Sequence, residues 1–212
     1  MVRRDDLALV LRDAMLYDDG PIMSEELLIN ETRQLISALE KEKIPHVLVG
    51  GLAVLQFVEG RNTRDINLII SVEDYPRLPG FVLREKNDWF GTGDCGPVRV
   101  DLLFTANPLF EEVARLHSLP RQFLDTTLNC ATPRGIILLK LFALPSLYRQ
   151  GLVERADLYE TDILQLLRLD PATDEELLGR LRAHMIESDI TALRDVLNEL
   201  RTRLGKANRF QS

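Results

Sequence analysis

The chain has 212 residues, 45% hydrophobic and 28% charged, the balance of an ordinary globular protein of one or two domains. A net charge of −7 and a pI near 5.1 argue against general electrostatic capture of DNA or RNA, and leave room only for a local basic groove. Cys95 and Cys130 lack metal-ligand spacing, no apolar run follows Arg3 and Arg4 as a signal peptide requires, and no segment is apolar for long enough to cross a bilayer. A cytoplasmic protein with two free thiols and no membrane partner is expected.

In chain order, Asp5 to Tyr17 has apolar residues at roughly helical period and ends in Asp18-Asp19-Gly20-Pro21, a turn and helix stop. Ser24 is placed to cap a longer helix whose buried stripe runs Leu27, Leu28, Thr32, Leu35, Ile36 and Leu39. Ile44-Pro45 leads into a short apolar strand, Val47-Leu48-Val49, that stops on Gly50-Gly51. Leu52, Ala53, Leu55, Gln56 and Phe57 have the spacing of one short helix, Gly60 breaks it, and a second strand runs from Asp65 to Ile70. Val72 to Tyr75 suits a brief helix before Pro76. Phe81 to Phe90 reads as a strand, after which the density of Gly91, Gly93 and Gly96 predicts a loop or hairpin of open register. Pro97 to Phe104 is a buried strand with one acid in its middle, Phe110 to Leu116 a helix, and Arg121 to Cys130 one or two short edge strands. At Thr132-Pro133, a cap followed by proline at the first helical position, the character turns helical. Further helices are expected over Ala156–Leu169, Asp174–His184 and Thr191–Leu204. Their leucine stripes are core or a subunit contact, the latter making a homodimer.

The stretch from Val47 to Ser71 carries the chemistry. Strand, Gly-Gly, helix, strand brings backbone N–H groups close to something small and anionic. Asp65 and Asn67 are two apart on one strand, so their side chains leave from one face, with Ile66, Leu68 and Ile70 opposite. If the Asp101 strand pairs beside it, Asp101 completes a cluster of oxygens facing the glycine turn, the pattern of a magnesium site for nucleoside triphosphate phosphates. Plainer readings stand beside this one: a tight packing contact for the glycines, a turn acid at Asp65, and a pairing of Asp101 with Arg99 or Arg64. Lys140, on an apolar helix, either snorkels to solvent or reaches into a cleft. His46, His117 and His184 are scattered without ligand spacing, and no serine stands in a nucleophilic arrangement.

Gly50-Gly51, then Arg61-x-Thr63-x-Asp65-Ile66-Asn67, then Val100-Asp101-Leu102 resemble the nucleotidyltransferase superfamily, the polymerase-beta-like fold. The likeness is to small prokaryotic members, including toxins of toxin–antitoxin and abortive-infection systems, and spans roughly residues 44–167. It implies an α+β fold: a mixed-sheet nucleotidyltransferase core with N-terminal helices over 1–131, and a C-terminal helical region over 132–212 packing on it. It also implies that Gly50 and Gly51 hold the triphosphate, with Thr63, Arg64, Lys140 and Arg149 as further nucleotide-binding residues. Asp65 and Asp101 would be catalytic, and Asp65, Asn67 and Asp101 would hold Mg2+. The family pattern has a second acid where this chain has Asn67. One charge beside a divalent ion, a few ångströms away at an effective dielectric near 20, is worth on the order of several kcal/mol before desolvation, so Asn67 weakens the metal site. Asp157 and Asp162 match acidic positions of the family's next helix, and their simpler role is to brace Lys140 and Arg149. The implied activity is Mg-dependent transfer of a nucleoside monophosphate from an NTP to an acceptor such as a tRNA, a protein or a small molecule. The alternatives are a nucleotide-binding pseudoenzyme and a protein-interaction component of a toxin–antitoxin-type system with a cognate antitoxin-like partner.

Overall fold

The computed structural model describes residues 25–58, 63, 65–123 and 126–209. The helix expected over Asp5–Tyr17, the Ser24 cap and the Arg61 and Arg64 positions lie outside the described residues. The chain divides between Thr132 and Pro133 into two compact units.

The first unit is built on one sheet. Helix α1 (Glu25–Lys41) buries Thr32, Leu35, Ile36 and Leu39, the i, i+3, i+4, i+7 stripe of a one-faced helix. Then come β1 (His46–Val49), α2 (Gly50–Leu55), β2 (Ile66–Ile70), β3 (Phe81–Lys86), β4 (Phe90–Cys95), β5 (Val98–Phe104), α3 (Pro108–Leu116), β6 (Ser118–Phe123) and β7 (Thr126–Ala131). The seven strands lie in the order β3-β4-β5-β2-β1-β7-β6. β2 runs parallel to β5 and β1 parallel to β7, while β1–β2, β3–β4, β4–β5 and β6–β7 are antiparallel. The sheet is thus mixed, with helices, as the α+β reading requires. β7 lies between β1 and β6, so of the expected edge strands only β6 is at an edge.

Alternation explains the sheet's two faces. Along β5, Val98, Val100, Leu102 and Phe104 are buried, whereas Arg99, Asp101 and Leu103 are not. Ile66 and Leu68 of β2 point to the buried face, where they enclose space with Leu48 and with Leu35, Ile36 and Leu39 of α1. Each such side chain, fully buried, contributes about 1.5–3 kcal/mol relative to exposure.

The expected glycine loop after Phe90 is a strand. A side chain at Gly91 would meet the Phe104 ring at 2.9 Å, and one at Gly93 would meet the Phe81 ring at 2.6 Å. The glycines make room in the ladder for rings on neighbouring strands, a tertiary cause that local composition hides. Gly96, at φ +57°, makes the turn into β5. The brief helix expected before Pro76 is a 3-10 turn over Tyr75–Arg77 that contains it.

The second unit is helical: α4 (Pro133–Arg149), α5 (Val153–Leu166), α6 (Asp174–Leu181) and α7 (Glu187–Arg209). α4 packs on α5, α6 and α7. Thr173 accepts from the Glu176 N–H while Glu176 accepts from the Thr173 N–H, a capping box that fixes the start of α6. Its core includes Ile137, Leu138, Leu141, Ile163, Leu177, Leu197 and Leu200.

Candidate active site

The site is assembled by register. Asn67 lies directly opposite Val49 on one side and Asp101 on the other. Thr92 of β4 is the next partner across from Asp101. Directly paired residues share a sheet face, so Asn67, Asp101 and Thr92 form one row. Arg99 and Asp94, paired in the same ladder, form the row beside it. Asp65 stands two residues before Asn67, one step outside β2, and is half-buried. Its charge acts on Arg99, which agrees with a place at the end of that row.

Gly50 closes the floor. Its φ of +69° is left-handed, a conformation that costs an ordinary L residue about 1–2 kcal/mol. A Cβ there would lie 2.6 Å from Asn67 Cγ and 2.8 Å from Nδ2. Only a glycine lets the Asn67 amide lie against the turn. Gly51 follows as a buried residue in the first turn of α2. The Asn67 Nδ2 makes a long 3.5 Å contact to the Asp65 carbonyl, leaving Oδ1 as the acceptor atom of that amide.

Asp101 is firmly held. Its Oδ1 accepts from the Thr92 hydroxyl and, at 3.1 Å, from Arg99 Nε. The Asp101 side chain is 18% exposed and that of Arg99 is 53% exposed. Arg99 therefore reaches across the acid from the solvent side. Hydrogen bonding and charge from Asp101, and then the charges of Asp65 and Asp94, hold its guanidinium above the ordinary arginine range. Asp94 is also paired with Arg84 of β3.

Asp65, Asn67, Asp101 and Gly50 are thus neighbours on one face and one turn, and Gly51 adjoins them. Thr63 is half-buried two residues before Asp65, and Arg64 lies outside the described residues. Lys140 and Arg149 belong to the helical unit. The Lys140 side chain is 5% exposed, with Nζ 2.8 Å from Asp162 Oδ2 and 3.8 Å from the Tyr159 ring centroid. The snorkelling expectation is corrected here: the ammonium is buried with a carboxylate and an aromatic face. Arg149 is 61% exposed and donates at 2.7 Å to Asp189, not to Asp157 or Asp162.

Thr92 was not foreseen in this row, because the glycines of β4 concealed its register. The plainer reading of Asp101 as a partner of Arg99 is borne out by their contact. The donors present, two carboxylates and one amide carbonyl, are hard oxygens of the kind that magnesium prefers. Among the described residues, no group of three or more His, Cys, Asp or Glu is arranged to hold a metal.

A crystal structure of an antigenic nucleotidyltransferase-like protein from Paracoccidioides brasiliensis is similar at a TM-score of 0.58 and 16% identity, covering 89% of this chain and 94% of that one. A crystal structure of ANT(2'')-Ia in complex with adenylyl-2''-tobramycin is similar at a TM-score of 0.54 and 13% identity, covering 79% of this chain and 97% of that one. The fold is a nucleotidyltransferase fold. No family model and no curated protein matches the sequence. Identities this low speak for the fold alone. On this fold the chain places a glycine turn at Gly50 beside Asn67, with Asp101 paired to Asn67 and Asp65 two residues before it.

Proposed function

We propose that this chain is a nucleotidyltransferase-like protein that binds a nucleoside triphosphate with magnesium and transfers its nucleoside monophosphate to an acceptor. Gly50 carries the reading: its left-handed backbone abuts Asn67, which is register-paired with Asp101. A packing contact alone explains a small residue there, but not why the neighbouring face is polar and partly open.

In this reading Gly50 and Gly51 offer backbone free of Cβ atoms to the triphosphate, and Thr63 and Arg64 flank it. Asp65 and the Asn67 Oδ1 would hold the magnesium, and Asp65 with Asp101 a second ion. When bound, magnesium neutralises charge on the attacking and leaving oxygens. Asp101 accepts the proton of the acceptor hydroxyl, for which Arg99 must move off its Oδ1. The acceptor oxygen bonds the α-phosphorus, whose bond to the β-phosphate oxygen breaks as pyrophosphate leaves. Lys140 and Arg149 are proposed to add cationic charge toward the triphosphate. For Lys140 that role requires leaving Asp162. The acceptor is an RNA end, a protein or a small molecule. The setting we propose is cytoplasmic, in a toxin–antitoxin-type pair with a cognate antitoxin-like protein, with the chain as monomer or homodimer.

A second reading has its own support. Asn67 in place of an acid, together with a guanidinium seated on Asp101, favours a pseudoenzyme that binds nucleotide without turning it over. Thermal shift with each of the four nucleoside triphosphates, with and without magnesium, tests binding. Transfer of label from an alpha-labelled triphosphate to RNA, protein or small-molecule acceptors then separates the two. Binding with transfer supports the enzyme, and binding without transfer the pseudoenzyme. Absence of any shift overturns both in favour of a protein-interaction component.

A further inference from the structure

Arg99 is in an unusual place for a site that is meant to attract cations. It projects from the same face as Asp65, Asn67 and Asp101, and its Nε lies 3.1 Å from Asp101 Oδ1. Asp94 is its direct partner across the β4–β5 ladder. The charged residues of these rows are Asp65, Glu85, Asp94 and Asp101 against Arg84 and Arg99, four negative and two positive, which leaves two net negative charges. An acid at position 67 and a neutral residue at 99 would leave four, so Asn67 and Arg99 together make the face less negative by two charges.

Both changes act in one direction. They weaken the hold on a divalent ion and reduce the repulsion felt by a polyphosphate. Arginine suits the second task, because its planar donors match phosphate oxygens in pairs and it stays charged throughout the accessible pH range. Only Nε is committed in the contact to Asp101, and the side chain is half-exposed.

We propose that Arg99 is the phosphate-binding cation of this cleft, so that polyphosphate binding depends on Arg99 and only weakly on magnesium. This rests on the nucleotide-binding reading above. Asp101, held in turn by the Thr92 hydroxyl, acts as a positioning residue, accepting from Nε while the terminal nitrogens face the ligand.

Isothermal titration with ATP, GTP, CTP and UTP, in magnesium and in EDTA, tests this on wild type, Arg99→Gln and Arg99→Lys. Expected is at least one triphosphate whose wild-type affinity changes less than about threefold on chelation. In EDTA, Arg99→Gln should lose about tenfold or more, and Arg99→Lys should lie between, since it keeps charge without paired donors. Arg99→Gln should become more magnesium-dependent, because Asp101 is released. Circular dichroism confirms that each variant is folded. Wild-type binding abolished by EDTA, or Arg99→Gln binding as well as wild type in EDTA, overturns the role of Arg99 while leaving nucleotide binding intact. Failure of all four triphosphates to bind wild type under both conditions overturns the nucleotide-binding reading, and this role with it.

Discussion

Gly50 and Asn67 touch, and the contact makes both positions sensitive. Gly50→Ala puts a Cβ at φ +69° and within 2.6 Å of Asn67 Cγ. The left-handed backbone alone should cost about 1–2 kcal/mol, and the overlap adds to it. The expected outcome is a lower urea midpoint together with weaker nucleotide binding; an unchanged midpoint would mean that the turn relaxes freely. Asn67→Asp is the complementary change, because it preserves shape and adds charge. It should raise magnesium-dependent nucleotide affinity by rebuilding an acid pair on one strand face. Affinity with and without magnesium checks this, and a decrease would mean that the cleft is tuned for an amide. These two residues were legible in the sequence because the apolar strand Val47-Leu48-Val49 ends on Gly50, and Asn67 alternates with Ile66 and Leu68 along β2.

At the scale of elements, α4 and α5 hold a buried ion pair that sets a stability test. Lys140 and Asp162 are 5% and 3% exposed. Removing one partner strands the other charge, so Lys140→Met should cost about 3–5 kcal/mol, and Lys140→Met with Asp162→Leu should recover most of it. Denaturant unfolding of the two single variants and the double variant measures the coupling. Additive losses would mean that the pair is not a unit. By resemblance the sequence marks Asp157 and Asp162 as braces for Lys140 and Arg149, and the structure pairs Asp162 with Lys140. The sequence reading missed the Asp189 partner of Arg149, which lies 40 positions away in sequence. The sheet shows the same divide. β5 and α1 were readable because their burial follows period 2 and period 3.6. β4 was not, since Gly91 and Gly93 answer to the Phe104 and Phe81 rings, and no local pattern shows which ring will arrive. The place of Thr92 beside Asp101 was lost with it.

For the molecule as a whole, an acidic chain of net charge −7 should bind long nucleic acids weakly and discriminate through its cleft. Among the described residues no helix is long and apolar enough to cross a membrane. Its two thiols give a pH test. Burial pushes the Cys130 thiol from 9.0 to about 12, and burial with the charges of Glu31 and Asp94 pushes Cys95 to about 11. A raised thiol keeps its proton in the fold while the unfolded chain ionises. Its stabilising share is therefore complete below about pH 9 and is lost as pH rises through the folded value. Urea unfolding should show each thiol costing about 1.4 kcal/mol per pH unit between pH 9 and 11, and Cys130→Ala should have a correspondingly shallower slope. Parallel slopes would mean that Cys130 ionises alike in both states. The cleft itself is tested most directly by titrating each nucleoside triphosphate, with magnesium, into wild type and Asp65→Asn. The expected result is saturable one-site binding of at least one triphosphate, whose magnesium-dependent component Asp65→Asn removes. Equal affinities in the two proteins, or binding of none of the four to wild type, would contradict a nucleotide site at Asp65, Asn67 and Asp101.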